Sequence, residues 1–307
     1  MDPLTNTETL VGAGTGVRVE RILCPVDFSA TSTKAYRYAE SVAGHYRAAL
    51  VVQHVVELEQ FVSAMYAPSW ELFEEFRKTQ LANARQELQQ LVSTSGSVLP
   101  EFVVQDEMPA DAILSLARGR EMSLIVMGTH GRRGFDHLML GSVTERVLRH
   151  ATCPVLVIPR TAPDPGGRDV PADSVSVQRI LCCVDFSTHS QRALEHALSL
   201  ASAYGGEVTL LHALDGISES ADVGKETAAA MVKLQKLLPT AGNAPKTHLE
   251  VRLGRAYLEI HQFVSETRPD VIVAGVRGSH ALDLAVFGST IYRVIQLSSA
   301  PVLAVPN

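Results

Sequence analysis

The sequence predicts an α/β fold of two tandem domains, each a five-stranded parallel, doubly wound sheet with helices on both faces. Three observations support this prediction. Apolar strand-like runs alternate with amphipathic stretches, an order that favours parallel sheets covered on both sides. A strand-like segment at residues 21–29 returns at residues 179–187. A glycine-rich segment at residues 128–142 returns at residues 275–289.

The elements of the first domain follow from hydrophobic periodicity. Residues 22–26 form an apolar strand, and residues 33–46 predict a helix because Ala35, Tyr38 and Val42 recur on one helical face. The later elements are strand 49–56, helix 71–91, strand 102–105, helix 110–118, strand 124–127, helix 143–150 and strand 155–158.

The second domain repeats this order. Its predicted elements are strand 180–184, helix 191–204, strand 207–213, helix 226–238, strand 248–252, helix 258–266, strand 271–274, helix 290–296 and strand 302–305. The offset between the copies falls from 158 (179 minus 21) to 147 (275 minus 128), so the first copy carries 11 extra residues, which fit best within residues 57–91. We therefore assign a disordered tail to residues 1–19, domain one to 20–160, a linker to 161–178 and domain two to 179–307.

Composition excludes several classes of protein. The chain has 307 residues, 46% hydrophobic and 20% charged, which is typical of a globular protein. A net charge of -6 argues against nucleic-acid binding. No apolar run is long enough to span a bilayer, and the N-terminus lacks the features of a signal peptide. A cytoplasmic location without membrane contact is the resulting expectation.

The four cysteines are predicted to be reduced core thiols. They lie in or beside apolar strand-like runs, at Cys24, Cys153, Cys182 and Cys183. The paired spacings of a zinc site are absent, and adjacent cysteines are poorly placed for a disulfide. We predict no metal site formed by protein side chains.

The glycine-rich segments carry the strongest functional signal. Each follows an apolar strand and contains two glycines three residues apart, then nine residues, then a glycine and a serine. Glycines let backbone N–H groups approach an anion closely, and a helix start adds further donors. The positions are Gly128, Gly131, Gly141 and Ser142, and then Gly275, Gly278, Gly288 and Ser289. Because spacing and context are both duplicated, phosphate binding is favoured over plain turn glycines.

The predicted topology places an acid opposite each glycine loop. Five parallel strands with right-handed crossovers usually wind outward in both directions from the first strand. Ligands bind at the carboxyl ends of the strands, where the order reverses. Asp27 and the Gly128 loop would then face each other, as would Asp185 and the Gly275 loop. Asp27 could instead belong to a plain helix N-cap.

In these residues the chain resembles the ATP-binding branch of the universal stress protein family. The glycine loop, the opening strand ending in Val-Asp-Phe-Ser and the closing Pro-Val-Leu-Val-Ile-Pro and Pro-Val-Leu-Ala-Val-Pro carry the resemblance, which covers nearly all of both repeats. It implies a Rossmann-like, adenine nucleotide alpha hydrolase-like fold that binds ATP, with Mg²⁺ on the phosphates.

The resemblance also implies roles for individual residues. The acid would contact the adenosine portion, the residue after a strand histidine would meet adenine through its backbone, and the glycine loop would hold the phosphates. The residues implied are Asp27, Val55, Gly128, Gly131, Gly141 and Ser142 for site one, and Asp185, Ala213, Gly275, Gly278, Gly288 and Ser289 for site two.

Other polar residues near the loops have structural interpretations. Ser142 and Glu145 form an S-x-x-E capping box, so Ser142 is predicted to be a helix N-cap. The loop arginines, Arg132, Arg133 and Arg277, could screen phosphate charge. The loop histidines, His130, His137 and His280, are predicted to be solvent-exposed, and the strand histidines, His54 and His212, to be hydrogen-bonded structural residues.

These observations favour a binding protein over an enzyme. A phosphoryl-transfer enzyme needs a P-loop lysine, a magnesium-binding acid and a positioned base, and no motif in the sequence indicates any of them. No catalytic residue is predicted, and any ATP hydrolysis should be slow. The leading hypothesis is a nucleotide-responsive stress module; a slow ATPase or phosphotransferase and a nucleotide-free interaction scaffold are the alternatives.

The resemblance also bears on assembly. It implies that the closing strands 155–158 and 302–305 pair, which would make the chain an intrachain pseudo-dimer. It leaves open a homodimer and protein partners whose identity the sequence does not indicate.

Overall fold

The computed structural model describes residues 17–58, 69–91, 98–131, 140–165, 175–216, 222–238, 244–277 and 288–306. The first repeat contains β1 (Arg21–Pro25), α1 (Ala30–Tyr46), β2 (Ala49–Val55), α2 (Trp70–Leu91), β3 (Glu101–Gln105), α3 (Pro109–Gly119), β4 (Leu124–Gly128), α4 (Ser142–His150) and β5 (Val155–Ile158). The second contains β6 (Arg179–Cys183), α5 (Thr188–Tyr204), β7 (Glu207–Leu214), α6 (Val223–Gln235), β8 (Thr247–Leu253), α7 (Ala256–Thr267), β9 (Val271–Gly275), α8 (Ser289–Leu297) and β10 (Val302–Val305).

Every predicted helix and strand is present, with its ends shifted by at most three residues. The largest shifts at a helix start, three residues each, occur where a polar residue caps the helix earlier than the periodicity indicates. The capping residues are Ser29 for α1, Ser187 for α5 and Asp222 for α6. The extra length of the first repeat lies partly in α2, which has 22 residues against 13 in α6. Most of the predicted tail and residues 166–174 of the predicted linker lie outside the described residues.

The ten described strands form one sheet in the order β3-β2-β1-β4-β5-β10-β9-β6-β7-β8. Within each repeat the neighbouring strands are parallel. The strand order reverses between β1 and β4 and again between β6 and β9, so each repeat has the predicted switch point.

The two repeats meet in an antiparallel seam between β5 and β10, which confirms the expected pairing of the closing strands. Leu303 pairs with Leu156, Val302 with Val157 and Ala304 with Val155. Leu156 and Leu303 are equivalent positions, because 303 minus 156 is 147, the offset of the glycine loops. A pseudo-twofold axis therefore passes through this pair, and the carboxyl ends of the two halves lie on opposite edges of the sheet.

Alternate residues of each strand face opposite layers of helices. In β1, Ile22 and Cys24 face the layer that contains α1 and α5, whereas Leu23 faces the layer that contains α3, α4, α7 and α8. Each of the two apolar clusters includes residues of both repeats. The core is therefore continuous across the seam, as expected for a sheet buried on both faces.

The cysteines lie in this core, as predicted. Cys24, Cys153 and Cys182 are buried, Cys183 is partly buried, and none forms a disulfide. Burial raises the pKa of the Cys153 thiol to about 11 and that of Cys24 well above its usual range. These thiols are inert core residues rather than nucleophiles.

Among the helices of the described ranges, none combines the length and the apolar character needed to cross a lipid bilayer.

Candidate functional site

The start of α1 holds the acid of site one. Asp27 Oδ1 accepts hydrogen bonds from the Ser29 N–H at 3.1 Å and from the Ser29 hydroxyl at 2.6 Å. Ser29 Oγ also accepts from the Ser32 N–H at 3.2 Å, which makes Ser29 the N-cap of α1. Asp27 is therefore not the cap residue; its carboxylate is oriented by the cap.

Site two repeats this arrangement. Asp185 Oδ1 accepts from the Ser187 N–H at 3.0 Å and from the Ser187 hydroxyl at 2.5 Å. Ser187 caps α5 by accepting from the Ser190 N–H at 3.2 Å. Both acids thus lie two residues after the first strand of their repeat, at its carboxyl edge.

The residue after each acid has a left-handed backbone. Phe28 has φ 63° and Phe186 has φ 64°. Bulky residues rarely adopt this conformation, and it is concentrated at functional sites. Each ring packs on a histidine of the next strand, with centroids 4.5 Å apart for Phe28 and His54 and 4.4 Å apart for Phe186 and His212. The ring contacts offset part of the cost of the backbone conformation.

The same histidines fix the strand ends. His54 Nδ1 lies 2.8 Å from the Val26 carbonyl oxygen, and His212 Nδ1 lies 2.7 Å from that of Val184. The prediction that these histidines are hydrogen-bonded structural residues is confirmed. The bonds join each acid-bearing strand end to its neighbour.

Val55 and Ala213 follow these histidines at the same edge of the sheet. Val55 ends β2 and is in register with Gln105, and Ala213 of β7 is in register with Arg252. Both are partly exposed. They lie on the strand beside the one that each acid follows.

The first glycine loop folds back onto the acid. A Cβ added to Gly131 would collide with the Asp27 carboxylate. A Cβ on Gly128 would lie 2.8 Å from Thr31 Cγ2, and one on Gly141 would lie 3.0 Å from the Thr129 carbonyl oxygen. Close approach of neighbouring atoms, rather than an unusual φ, therefore favours glycine at these three positions. The predicted apposition of acid and loop across one crevice is present in site one.

The helix after the loop begins differently from the prediction. Gly141, not Ser142, is the N-cap of α4, and it lacks a side-chain capping bond. The Gly141 N–H donates to the Thr129 carbonyl at 2.9 Å, and its own carbonyl accepts from the Glu145 N–H at 2.9 Å. The predicted capping box is therefore wrong: this tertiary bond sets the start one residue earlier, and Ser142 is the first helical residue. Ser289 likewise follows the N-cap Gly288.

His130 is also placed differently from the prediction. It is partly buried, and its Nδ1 lies 2.9 Å from Thr129 Oγ1. Its Nε2 is shielded from solvent and has no hydrogen-bond partner among the described residues. The prediction of a solvent-exposed histidine is therefore wrong for His130, because the loop turns inward toward Asp27. His137 and His280 lie outside the described residues, as do Arg132 and Arg133.

The second loop approaches its helix equally closely. A Cβ on Gly275 would lie 2.9 Å from His189 Cβ and 3.1 Å from the His189 carbonyl oxygen. A Cβ on Gly288 would lie 3.1 Å from the Val276 carbonyl oxygen. Gly278 lies outside the described residues, so the contact equivalent to that of Gly131 and Asp27 is seen only in site one.

His189 has an unusual environment in site two. Its Nε2 is shielded from solvent, and no hydrogen-bond partner for it lies in the part of the chain that the structure describes. Burial and the neighbouring Arg277 guanidinium lower its pKa. Arg277, a predicted phosphate-screening residue, therefore lies within electrostatic reach of this imidazole.

A cleft of about 460 Å³ opens beside the first glycine loop. Its first-repeat wall comprises residues 29–31 at the start of α1, residues 129–131 of the loop, Leu140 and residues 159–161 after β5. Asp27 and Val55 do not line it, so it adjoins the phosphate end of the predicted site rather than the nucleoside end. Its lining includes Arg160, which the sequence analysis missed. The strand order, with β5 beside β4, could have identified it.

Within the described ranges, no group of three or more histidine, cysteine, aspartate or glutamate side chains is arranged to hold a metal ion.

Comparison with known proteins gives a consistent assignment. The sequence profile of the universal stress protein family matches residues 18–159 and again residues 176–306. The chain belongs to the universal stress protein family. A universal stress protein of Mycolicibacterium smegmatis is 24% identical over 292 residues, which cover 92% of this chain and 96% of that protein. Both proteins are therefore similar over both repeats.

Solved universal stress proteins share the fold. One from Archaeoglobus fulgidus superposes with a TM-score of 0.66 at 23% identity, covering 94% of this chain and 98% of that one. Another universal stress protein was solved in complex with cAMP; it is 21% identical, with a TM-score of 0.35, and covers 43% of this chain and 98% of its own. Nucleotide binding thus occurs in that member of the family.

Proposed function

We propose that this universal stress protein binds one ATP in each repeat, with Mg²⁺ on the phosphates, and acts as a nucleotide-responsive regulatory module in stress. The observation that carries the proposal is the approach of Gly131 to Asp27, which leaves no room for a Cβ. Backbone N–H groups are then the protein groups offered to a ligand at that point of the loop. Amide donors suit phosphate, and a carboxylate suits nucleoside hydroxyls.

Each element of the site has a role in this proposal. Asp27 would accept hydrogen bonds from the adenosine portion, and the Val55 backbone would meet adenine. The Thr129 N–H donates to the Ile158 carbonyl at 3.2 Å. The amides of the loop after Thr129 and those of the first turn of α4, which precede its first intrahelical bonds, would donate to phosphate oxygens. Asp185, Ala213, Gly275 and the start of α8 would do the same in site two.

The residues of the site determine which ligands a magnesium ion would have. Magnesium prefers oxygen ligands in octahedral geometry and commonly keeps several waters while binding phosphates. The described residues lack an acidic cluster that could hold the ion without nucleotide. Phosphate oxygens and water would therefore be its ligands, and it would neutralise phosphate charge.

Binding would act by changing populations. A nucleotide that contacts both the end of β1 and the glycine loop stabilises conformations in which these two segments are close together. A partner that binds these conformations more tightly than others would therefore bind the chain according to whether nucleotide is present. This mechanism requires no turnover.

Calorimetric titration and mass spectrometry of nucleotide released from denatured protein test the proposal. We expect two ATP per wild-type chain and one in the Gly131→Ala variant. Gly119→Ala is the matched control, because a Cβ at Gly119 meets no atom within 4 Å. Absence of nucleotide and of any ATP-dependent rise in melting temperature would favour the interaction scaffold instead.

The slow ATPase alternative is separated by a turnover assay. Phosphate release that is abolished by Asp27→Ala would support it. Tight ATP binding without products would support the regulatory module.

A further inference from the structure

A pair of glutamines lies at the end of β3, in a part of site one that the proposed contacts do not use. Gln53 of β2 has no exposed area, and its Nε2 donates to Gln105 Oε1 at 2.6 Å. Gln105 is the last residue of β3 and is partly exposed. In the described part of the chain, this bond is the only side-chain hydrogen bond of Gln105. The Gln105 amide N–H groups are therefore available to a ligand.

The backbone beside this amide is held from two sides. The Gln105 carbonyl accepts from the Val56 N–H at 2.8 Å. The next residue, Asp106, accepts two hydrogen bonds from the Arg77 guanidinium of α2. The charge of Asp106 is thus already paired, and Gln105 presents its amide from a fixed strand end.

Both glutamines face the layer of helices that contains α3 and α4. Val51 belongs to the apolar cluster of that layer, and Val103 packs against it. Gln53 and Gln105 lie two residues further along the same strands, and alternate residues of a strand share a face. Gln105 is in register with Val55, whose backbone would meet adenine, and neighbouring strands are about 4.8 Å apart. A base at Val55 would therefore lie beside the strand that carries the Gln105 amide.

The second repeat has other residues at these two positions. They are Leu211 and Arg252, because 211 minus 53 is 158 and 252 minus 105 is 147, the offsets of the first strands and of the glycine loops. Leu211 is buried in the apolar cluster. The Arg252 guanidinium donates to Glu250 and to Glu266, each at 2.7 Å. Site two therefore has no counterpart of the glutamine amide.

We propose that Gln105, oriented by Gln53, donates a hydrogen bond to a ring nitrogen of the purine base bound at site one. This inference rests on the proposed function, which supplies the nucleotide. Purine ring nitrogens accept hydrogen bonds, and glutamine amides pair with the edges of adenine in other recognition sites. Site one would then recognise the base through a side chain, whereas site two would rely on backbone contacts.

Titration of the full-length chain with ATP and with inorganic tripolyphosphate tests this inference. The binding event at site one is identified as the one that Gly131→Ala removes. Because one neutral hydrogen bond is lost, Gln105→Leu should weaken ATP at site one roughly two- to ten-fold and leave tripolyphosphate unchanged. ATP affinity at site two is the internal control, and Gln90→Leu, at an exposed glutamine of α2, should change neither site. Equal weakening of ATP and tripolyphosphate would overturn the inference.

Analogues of ATP identify the atom that Gln105 contacts. The acceptor nitrogens of the adenine ring are N1, N3 and N7, and each deaza analogue replaces one of them by a C–H group. One analogue should bind wild-type site one more weakly than ATP by the same factor as the Gln105→Leu substitution. Gln105→Leu should then bind that analogue and ATP equally, because the same bond cannot be lost twice. If none of the three analogues behaves in this way, the inference is wrong.

A double variant separates loss of the contact from loss of folding. Gln105→Leu alone leaves the buried Gln53 amide without its partner, whereas Gln53→Leu combined with Gln105→Leu replaces both partners by apolar groups, a change that is often nearly neutral for stability. The double variant should melt close to wild type and still lose ATP affinity at site one. Wild-type ATP affinity in the double variant would overturn this inference and leave nucleotide binding intact. A wild-type chain that binds no nucleotide would overturn both proposals.

Discussion

Sites one and two share a backbone frame and differ in the side chains around it. In both sites a capping serine bonds the acid, a phenylalanine with a left-handed backbone follows, and a glycine ends the strand across the switch point. Three polar positions differ, since Thr31, Thr129 and Thr144 of the first repeat are His189, Val276 and Ile291 in the second.

The threonines of site one support its loop. The Thr144 hydroxyl donates to the Gly128 carbonyl at 2.9 Å, and Thr129 Oγ1 lies 2.9 Å from His130 Nδ1. In site two, Val276 and Ile291 are buried in an apolar cluster and offer no hydroxyl. The two sites therefore share their backbone arrangement, but only site one has threonine hydroxyls that hydrogen-bond its loop. We expect site one to bind nucleotide more tightly than site two for this reason.

The strand-end glycines give the largest expected difference in stability. A Cβ on Gly128 would lie 2.8 Å from Thr31 Cγ2 and 3.2 Å from the Thr31 backbone, whereas one on Gly275 would lie 2.9 Å from His189 Cβ and within 3.1 Å of two His189 backbone atoms. Backbone in a packed helix yields less than a side chain, so Gly275→Ala should lower the free energy of unfolding by about 3 kcal/mol and Gly128→Ala by about 2 kcal/mol.

Urea denaturation measures both variants. Gly119→Ala, at a helix position with open space, should stay within about 1 kcal/mol of wild type. A Gly128→Ala variant that loses as much stability as Gly275→Ala, or more, would contradict the expectation that the second strand-end glycine is the more tightly enclosed.

The Thr144 bond gives the next largest effect. Thr144→Val keeps the shape and leaves the Gly128 carbonyl without this donor, which should cost about 1–2 kcal/mol of unfolding free energy. ATP affinity at site one should fall toward that of site two. The control is Ile291→Val, which removes one methylene group and should leave both affinities unchanged. Calorimetry with two resolved binding events gives both results, and an unchanged site-one affinity in Thr144→Val would contradict the bracing role.

His189 should make the second repeat sensitive to acid. Burial lowers its pKa, Arg277 and Arg192 act in the same direction, and Asp185 opposes them. As the pH falls below about 6.5, the unfolded chain takes up this proton before the folded chain does. The free energy of unfolding should therefore fall with acidification until the folded-state pKa is reached.

Replacement by the residue of the first repeat tests this effect. His189→Thr, which copies Thr31, should reduce the loss of stability between about pH 7 and pH 5, measured from urea midpoints. Part of the loss should remain, because burial also lowers the pKa of His196. His261→Thr changes an exposed histidine of α7 and serves as the control. If both variants reduced the acid-dependent loss of stability equally, His189 would not be responsible for it.

The smallest expected effect concerns the packing of the last two helices in each repeat. Arg146 forms a half-exposed ion pair with Asp111 at 2.7 Å, whereas the equivalent Arg293 lies over the Tyr257 ring at 4.5 Å. Arg146→Ala should cost about 0.5 kcal/mol, and less at high salt. Arg293→Ala should cost roughly 0.5–1 kcal/mol. Melting curves of both variants at low and high salt distinguish the ion pair of Arg146 from the ring contact of Arg293. Equal salt dependence of the two losses in stability would contradict this difference.

The sequence predicts the fold well because the fold rests on local patterns. Apolar runs locate the strands, and the strands 155–158 and 302–305 match the structure at both ends. The duplicated spacing identifies glycines at which an added Cβ would crowd neighbouring atoms. Asp27 and Asp185 lie at the switch points, where the general rule for parallel sheets places ligand-binding residues. These features depend on short segments and on general rules of sheet topology.

The remaining features depend on contacts between distant segments. The start of α4 is set by the bond from Gly141 to Thr129, which the S-x-x-E pattern does not encode. The burial of His130 follows from the fold of the loop onto Asp27. The position of the end of α8 beside the cleft next to the first glycine loop requires the register of the seam. Local periodicity carries no information about any of these contacts.

The seam also determines how this chain can associate with others. β5 is bonded to β4 and β10, and β10 is bonded to β9 and β5, so neither closing strand has a free edge. Among the described strands, the edges that remain are those of β3 and β8, at the two far ends of the sheet. A second chain that extends the sheet must therefore add at β3 or β8, and any other association must use the helices and loops.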